Sequence, residues 1–236
     1  GNRAKFAPDA EILHIDVDSA EMDKNIVSNY HLRGDLSEVI PMLTDAVNQL
    51  DHSVWKAEVD TFKRPFNQLQ IGDYVNPQTL IEAVDQKTPD NTIVVTDVGQ
   101  HQLWAAQFYK YTQPHTFLSS GGLGTMGYSM GAAIGAALGC PDKRVVLFAG
   151  DGGFHMNLNE LATMASYNVP VVMFIMNNKV LGMVRQWQKI FYNNRFSDTD
   201  PNRATDFVKV AEAFGVKGLR INNNDEIDKV LDEAFR

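Results

Sequence analysis

The sequence predicts an α/β protein whose core is a doubly wound parallel sheet with flanking helices. Short apolar, β-branched runs alternate with helical patterns over most of the chain, which is the pattern of βαβ units. Glycine or polar residues follow several of these runs, where a strand would end. With 236 residues, 44% of them apolar, the chain has room for one large α/β domain and part of another.

The first fifty residues predict the end of a separate α/β domain. Residues 11–18 have a strand pattern, and apolar side chains recur every three or four residues from 36 to 50, as in an amphipathic helix. Residues 51–76 show no sustained period, which predicts a linker with one short helix. Pro77 suits the first turn of a helix, so we expect the second domain to span 77–236.

The second domain is predicted to alternate helices with strands. We expect strands at 92–96, 116–118, 144–149, 171–176 and 218–221. We expect helices at 77–87, 100–109, 127–139, 158–167, 182–191, 206–214 and 225–235. The strand at 171–176 is apolar throughout, which predicts burial on both faces. Asn157 followed by Glu160 resembles a capping box for the helix at 158–167.

Composition excludes several classes of partner. The net charge is −8, with no basic cluster, so a nucleic-acid backbone would be repelled. No apolar run approaches the roughly 18 residues of a membrane span, and the N-terminus lacks the apolar core of a signal peptide. Cys140 is the single cysteine and cannot form an internal disulfide. We therefore expect a cytoplasmic protein that binds neither membranes nor nucleic acid.

Two polar turns follow neighbouring strands of the predicted sheet. Gly150, Asp151 and Gly152 follow one strand. After 24 intervening residues, Asn177 and Asn178 follow the next strand. The glycines at 150, 152 and 153 predict a tight turn. Parallel strands end at the same sheet edge, so Asp151 and Asn178 should meet there. One carboxylate and one amide suit Mg²⁺, which completes its octahedron with water and phosphate oxygens.

Residues 122–127 satisfy the spacing G-x-G-x-x-G between a predicted strand and a helix. This spacing also fits a dinucleotide site, in which Asp151 at the end of the next strand would hold a ribose. That interpretation leaves Gly152, Gly153 and the two asparagines without a role.

The two polar turns together resemble the thiamine diphosphate motif of the decarboxylase and synthase superfamily. The string Ser-Gly-Gly-Leu-Gly-Thr-Met-Gly at 120–127 matches a signature of the same superfamily. The resemblance implies that Mg²⁺ is bound by Asp151, Asn178 and the carbonyl of Val180. It also implies that the carbonyl of Gly124 and the side chain of Met126 hold the cofactor bent. The remaining cofactor residues that it implies are Gly150, Gly152, Gly153, Leu181, Gly182 and Met183.

Two further segments resemble acetohydroxyacid (acetolactate) synthases. Residues 98–107 resemble the segment that reaches the diphosphate, through Gln100 and His101. Residues 181–188 resemble the helix that lines the substrate channel, with Met183 and Trp187 on one face. The resemblance implies decarboxylation of pyruvate and condensation with a second 2-keto acid such as 2-ketobutyrate. It also implies that FAD is bound structurally by the preceding domain, of which residues 1–50 would be the end.

Two alternatives remain at this point. One is another thiamine-diphosphate-dependent pyruvate decarboxylase or oxidase, and the other is a non-catalytic fragment that binds a nucleotide or dimerises. The synthase resemblance implies a homodimer and a small regulatory subunit. It also implies an activating glutamate from the N-terminal domain of a neighbouring subunit, which Glu58, Glu82 and Glu160 do not replace. We therefore expect the 236-residue chain to fold but to be inactive alone.

Overall fold

The structure is a computed structural model that describes residues 2–62, 72–201 and 204–236. Contacts divide the chain into two compact units, Gly1–Phe66 and Asn67–Arg236. The assignment of residues 1–50 to an FAD-binding-type domain, 51–76 to a linker and 77–236 to a cofactor domain stays a prediction. Part of that linker, residues 63–71, lies outside the described residues.

The first unit contains a small parallel sheet and two helices. Its elements are a 3-10 helix at Arg3–Lys5, β1 at Leu13–Asp16, β2 at Tyr30–Arg33, α1 at Leu36–Ala46 and α2 at Ser53–Phe62. Strand β1 pairs with β2 in parallel. The sequence analysis missed β2 because its side chains are mostly exposed. Helix α1 begins after the Asp35 cap and ends at Ala46, four residues before the predicted end.

The second unit alternates helices and strands. In chain order they are α3 Pro77–Lys87, β3 Ile93–Thr96, α4 Gln100–Phe108, β4 Phe117–Leu118, α5 Tyr128–Gly139, β5 Val145–Gly150, α6 Asp151–Asn157, α7 Leu161–Ser166, β6 Val171–Met176, α8 Gly182–Phe191, α9 Phe207–Ala213 and α10 Ile227–Ala234. Short 3-10 helices lie at Leu158–Glu160 and Asn224–Glu226. None of the helices in the described ranges is long and apolar enough to cross a membrane.

The sheet of the second unit is parallel, with strand order β4-β3-β5-β6. Alternate side chains of β3 and β5 point to opposite faces, and each face has its own core. On one face Val94, Val146 and Phe148 pack with residues of α3, α4 and α10. On the other face Val95 and Leu147 pack with residues of α5, α6 and α7. Helices therefore cover both faces, which confirms the doubly wound architecture.

The strand order places a crevice at the carboxyl ends of β3 and β5. The chain moves from β3 to β4 on one side and then returns to β5 on the other side of β3. In such sheets, the connecting segments diverge at this reversal, and ligands bind beside the carboxyl ends of the strands. The segments that follow β3, β5 and β6 all lie at this edge.

The predicted strand at 218–221 is wrong, because the structure has no strand there. The backbone at Gly218 packs so closely on α9 that a Cβ would lie 3.0 Å from the carbonyl oxygen of Val208. This segment therefore packs on a helix and does not pair with β6. Within the described residues β6 is an edge strand, and only Phe174 of its six residues is buried. The two faces of β6 nevertheless pack against the two cores, with Val172 and Met176 on one side and Val171, Met173 and Ile175 on the other. The strand is therefore covered on both faces, as predicted, but is only partly buried.

The capping box and the glycine turn were also wrong predictions. Helix α6 begins at Asp151, directly after β5, and includes Gly152 and Gly153. The Asn157 amide donates to the carbonyl oxygen of Gly127 (2.7 Å), so a tertiary contact occupies it. The Glu160 carboxylate accepts a hydrogen bond from the Thr163 hydroxyl (2.9 Å). The single helix predicted at 158–167 is instead a 3-10 turn followed by α7.

Helix α5 offers a matched test of its packing against the sheet. Ala133 is fully buried, so Ala133→Leu should overpack this interface and lower the free energy of unfolding by about 1–3 kcal/mol. A Cβ on Gly135 would meet no atom within 4 Å, so Gly135→Ala should raise it by about 0.5–1 kcal/mol. Urea unfolding measures both changes, and equal effects of the two variants would contradict this packing.

Candidate cofactor site

The candidate site lies where the segments after β3, β5 and β6 meet the loop before α5. Residues 97–101 follow β3, residues 119–127 precede α5, α6 begins directly after β5, and residues 177–181 connect β6 to α8. Contacts at five glycines show how closely these segments approach one another.

The His101 side chain packs against the backbone of Gly99, in the segment after β3, and of Gly150, the last residue of β5. A Cβ on Gly99 would lie 2.7 Å from His101 Cε1, and one on Gly150 would lie 2.9 Å from the same atom. The side chain is only 6% exposed, and burial lowers the pKa of His101 to about 4, although the charge and backbone of Asp97 oppose this shift. The imidazole is therefore neutral near pH 7. Its Nε2 atom is buried without a hydrogen-bond partner in the described part of the chain.

Asp97 is a site residue that the sequence analysis missed. It follows β3 directly and is fully buried. Its carboxylate accepts hydrogen bonds from the backbone N–H of Gly127 (2.9 Å) and of Val98 (2.9 Å) and from the Ser129 hydroxyl (2.7 Å). An aspartate directly after a buried strand and before Gly99 was the available signal, since parallel strands end at the ligand-binding edge.

Two glycines of α6 have no side chains, and this allows side chains from other loops to reach the first turn of the helix. A Cβ on Gly153 would collide with the Asp97 carboxylate, and one on Gly152 would collide with Leu181. The Met126 Cε atom lies 3.4 Å from that Cβ position on Gly152. The structure therefore brings Met126, Gly152 and Leu181 together, as predicted for residues of one site.

Gln100, Asn178 and Gly182 form a second group of neighbours. A Cβ on Gly182 would collide with the Gln100 amide oxygen and would lie 3.0 Å from Asn178 Nδ2. The Gln100 amide also donates to the side-chain oxygen of Gln186 in α8 (3.0 Å). The Asn178 oxygen accepts a hydrogen bond from the Val180 N–H (3.1 Å), which leaves one of its two lone pairs for another ligand.

The predicted metal ligands lie at this edge but do not all line the same cleft. Asp151 is 5% exposed, and together with Asn177 it lines a cleft of about 230 Å³. The other lining residues are Lys179, Pro201, Ala204, Thr205, Asp206, Phe207 and Arg220. Asn178 is not among them and lies instead beside Gly182. The described residues contain no group of three or more His, Cys, Asp or Glu side chains that could hold a metal.

The residues nevertheless fit a magnesium diphosphate group. One carboxylate, one amide oxygen and a backbone carbonyl would leave the other half of an Mg²⁺ octahedron to water and phosphate oxygens, which is a usual arrangement. The glycines remove side chains from the edge. Among the described residues nothing is hydrogen-bonded to His101 Nε2, and this nitrogen can donate to a phosphate oxygen in the tautomer that carries the proton there. The observed chemistry therefore suits an anion held by uncharged donors and a metal.

Helix α8 carries the two predicted channel residues. Met183 is partly buried, and Trp187 is 58% exposed with its ring 5.8 Å from that of Phe191 in an edge contact. The segment after α8 folds back on it, since Gln188 both donates to and accepts from the backbone of Ser197. The helix is therefore held in place at the edge of the site.

His155 was given no role from the sequence, and the structure shows one. Its Nδ1 lies 2.7 Å from the carbonyl oxygen of Asp151, and its Nε2 lies 2.9 Å from the Thr205 hydroxyl. Its ring also contacts Phe207 edge-on. His155 thus ties the first turn of α6 to the segment on the far side of the cleft.

A family model described as "Thiamine pyrophosphate enzyme, C-terminal TPP binding domain" matches residues 97–236. The chain belongs to this thiamine pyrophosphate enzyme family. The match begins at Asp97 and contains every residue that the sequence analysis assigned to the cofactor. It supports the cofactor interpretation of residues 122–127 over the dinucleotide one.

Several relatives of this thiamine pyrophosphate enzyme chain are named as acetolactate synthases. A probable acetolactate synthase large subunit of Methanococcus aeolicus is 41% identical over 100% of this chain and 42% of its own length. The acetolactate synthase isozyme 2 large subunit of Escherichia coli is 38% identical over 98% and 42%. Acetolactate synthase 1, chloroplastic, of Nicotiana tabacum is 42% identical over 98% and 38%. The chain thus resembles acetolactate synthase large subunits and spans about two fifths of their length.

The burial of His101 predicts a specific pH dependence of stability. The pKa of His101 is about 4 in the folded chain against an ordinary 6.5. Between pH 4 and pH 6.5 the unfolded chain therefore binds a proton at this residue that the folded chain does not. Stability is therefore lost as the pH falls from 6.5 to 4, by up to about 3 kcal/mol in total. Urea unfolding from pH 7 to pH 4 should show a smaller loss for His101→Gln than for the wild type.

The control for this measurement is His52→Gln, since His52 is exposed in the first unit. It should keep the wild-type slope. If His101→Gln also kept the full slope, His101 would not be the group that titrates.

Proposed function

We propose that this chain is the part of an acetolactate synthase catalytic subunit that binds thiamine diphosphate and Mg²⁺. In this proposal the complete enzyme is a cytoplasmic transferase that decarboxylates pyruvate and joins the product to a second 2-keto acid. The observation that carries the proposal is the glycine-lined edge around His101 and Asp151, within a chain similar over its whole length to acetolactate synthase large subunits.

The chain's own residues bind and orient the cofactor in this proposal. Gln100 and His101 lie in the first turn of α4, where backbone N–H groups and the helix dipole also favour an anion. Asp151, Asn178 and the carbonyl of Val180 hold Mg²⁺. When bound, thiamine diphosphate supplies the carbon nucleophile that attacks the keto acid.

Substrate selection is proposed to involve α8. Met183 and Trp187 lie four residues apart on this helix and so share one face. The Gln100 amide donates a hydrogen bond to the side-chain oxygen of Gln186 in the same helix, which fixes α8 to the cofactor edge. The apolar face then borders the space that receives the second keto acid, pyruvate or 2-ketobutyrate.

The activating glutamate is proposed to come from a neighbouring subunit. The Glu82 carboxylate accepts a hydrogen bond from the Gln78 amide within α3 (2.9 Å), and that of Glu160 accepts one from the Thr163 hydroxyl. Glu58 belongs to α2 of the first unit. Among the described residues that contact the glycines of the edge, neither Glu82 nor Glu160 is found. The proposal therefore includes a homodimer. It also includes a small regulatory subunit as a further partner. FAD is proposed as a structural cofactor of the domain to which residues 1–50 belong.

The metal assignment predicts a loss of cofactor binding on Asp151→Ala. A chain of net charge −8 needs a cation to hold a diphosphate, so this variant should bind thiamine diphosphate at least about tenfold more weakly in the presence of Mg²⁺, which corresponds to about 1.4 kcal/mol. Isothermal titration calorimetry measures the affinity. Asp142→Ala, at an exposed site between α5 and β5, is the control. Unchanged affinity of the Asp151 variant would remove Asp151 from the ligand set.

The activity of the purified 236-residue chain is a second test. With pyruvate, thiamine diphosphate and Mg²⁺ we expect no measurable acetolactate, because lack of a general base alone costs about 10²- to 10⁴-fold. Calorimetry on the same sample controls for cofactor binding. Robust acetolactate formation would show that no glutamate from elsewhere is needed, and acetaldehyde or acetyl phosphate as the product would favour a decarboxylase or an oxidase.

A further inference from the structure

We propose that Asp97 is a positioning residue that sets the Met126–Gly127 turn, and with it the wall of the site against which the rings of thiamine diphosphate rest. This inference rests on the proposed function and deepens it. Asp97 belongs to none of the predicted ligands of the metal or the diphosphate, yet its carboxylate joins two of the segments that form the site.

The carboxylate of Asp97 is fully buried and is surrounded by donors. It accepts from the backbone N–H of Val98, Gly127 and Ser129 and from the Ser129 hydroxyl, at distances of 2.7 to 3.2 Å. Two of these N–H groups belong to the N-terminal end of α5, where the helix dipole also favours a negative charge. Asp97 is therefore the cap of α5, although it lies thirty residues earlier in the chain.

The turn held by Asp97 has a backbone conformation that favours glycine, and contacts from two other segments hold it. Gly127 has φ of +90°, and a Cβ there would lie 3.0 Å from Met156 Cβ. Asp97 holds the N–H of Gly127, and the Asn157 amide holds its carbonyl oxygen (2.7 Å). The peptide groups on both sides of Gly127 are thus fixed, and so is the direction in which the preceding residue, Met126, leaves the turn.

Met126 is the residue through which this turn reaches the site. Its Cε atom lies against the backbone of Gly152, where the Leu181 side chain also packs. The residues proposed to hold the diphosphate, Gln100 and His101, lie on α4 and do not depend on the Gly127 turn. A fault in this turn should therefore alter the contact with the rings of the cofactor and leave the diphosphate contacts in place.

A carboxylate is required at this position because every group around it donates. Ionised aspartate is acceptor-only, with about four lone-pair sites on two oxygens. Asparagine has the same shape, but its NH₂ group would face N–H donors. Asp97→Asn consequently leaves the Gly127 or Ser129 donors unsatisfied in a buried place.

The test compares two ligands on the full 236-residue chain by calorimetry with Mg²⁺ present: thiamine diphosphate and inorganic pyrophosphate. Asp97→Asn should weaken thiamine diphosphate binding about ten- to a hundredfold and leave pyrophosphate binding unchanged. Ser129→Ala, which removes one donor and keeps the carboxylate, should show the same selectivity with a smaller loss. Asp142→Asn is the matched exposed control and should change neither affinity.

Each outcome decides between the alternatives. Equal losses for both ligands would make Asp97 a structural residue only, and unchanged thiamine diphosphate affinity would also overturn the inference. If Asp97→Asn does not fold, the selectivity of Ser129→Ala decides in its place. A wild-type chain that binds pyrophosphate and not thiamine diphosphate would overturn the proposed function itself, which is a different result from failure of the Asp97 variant alone.

Discussion

The close packing of two buried polar side chains on glycine backbone holds the carboxyl edge of the sheet together. His101 occupies the space that Cβ atoms on Gly99 and Gly150 would fill, and Asp97 occupies that of Gly153. Interiors packed at crystal-like density have no room to shift such groups. The spacing between the ends of β3 and β5 therefore depends on the absence of side chains at these three glycines.

The sheet makes this edge possible because both of its faces are covered. The buried residues of β3 and β5 alternate between the two cores, so the strands gain burial on both sides. A one-residue slip in register would move each set of side chains into the core packed around the other set. Parallel connections then deliver all four strand ends to the same edge. The strand order reverses between β3 and β5, which leaves a crevice there that no crossover helix fills.

The sequence predicted the parts of this structure that depend on local pattern. Helices α3 and α8 and strand β6 have the predicted bounds, because apolar periodicity and capping residues determine them within one segment. Contacts between distant segments were not predictable in this way. Asn157 and Glu160 formed a plausible local cap, but the amide of Asn157 is used by Gly127. Asp97 was missed for the same reason, since its partners lie thirty residues away.

The two buried carboxylates at this edge lie in different surroundings, which suit the different roles proposed for them. The negative charge of Asp97 is stabilised by N–H and hydroxyl donors within the protein. These charge-assisted hydrogen bonds stabilise it without a cation. Asp151 lines an open cleft together with Lys179 and Arg220, and Arg220 is already paired with Asp206 (2.8 Å). In the proposed site a divalent cation lies between the Asp151 carboxylate and the diphosphate. The Asp97 carboxylate instead accepts hydrogen bonds at the N-terminal end of α5, where the helix dipole favours its negative charge.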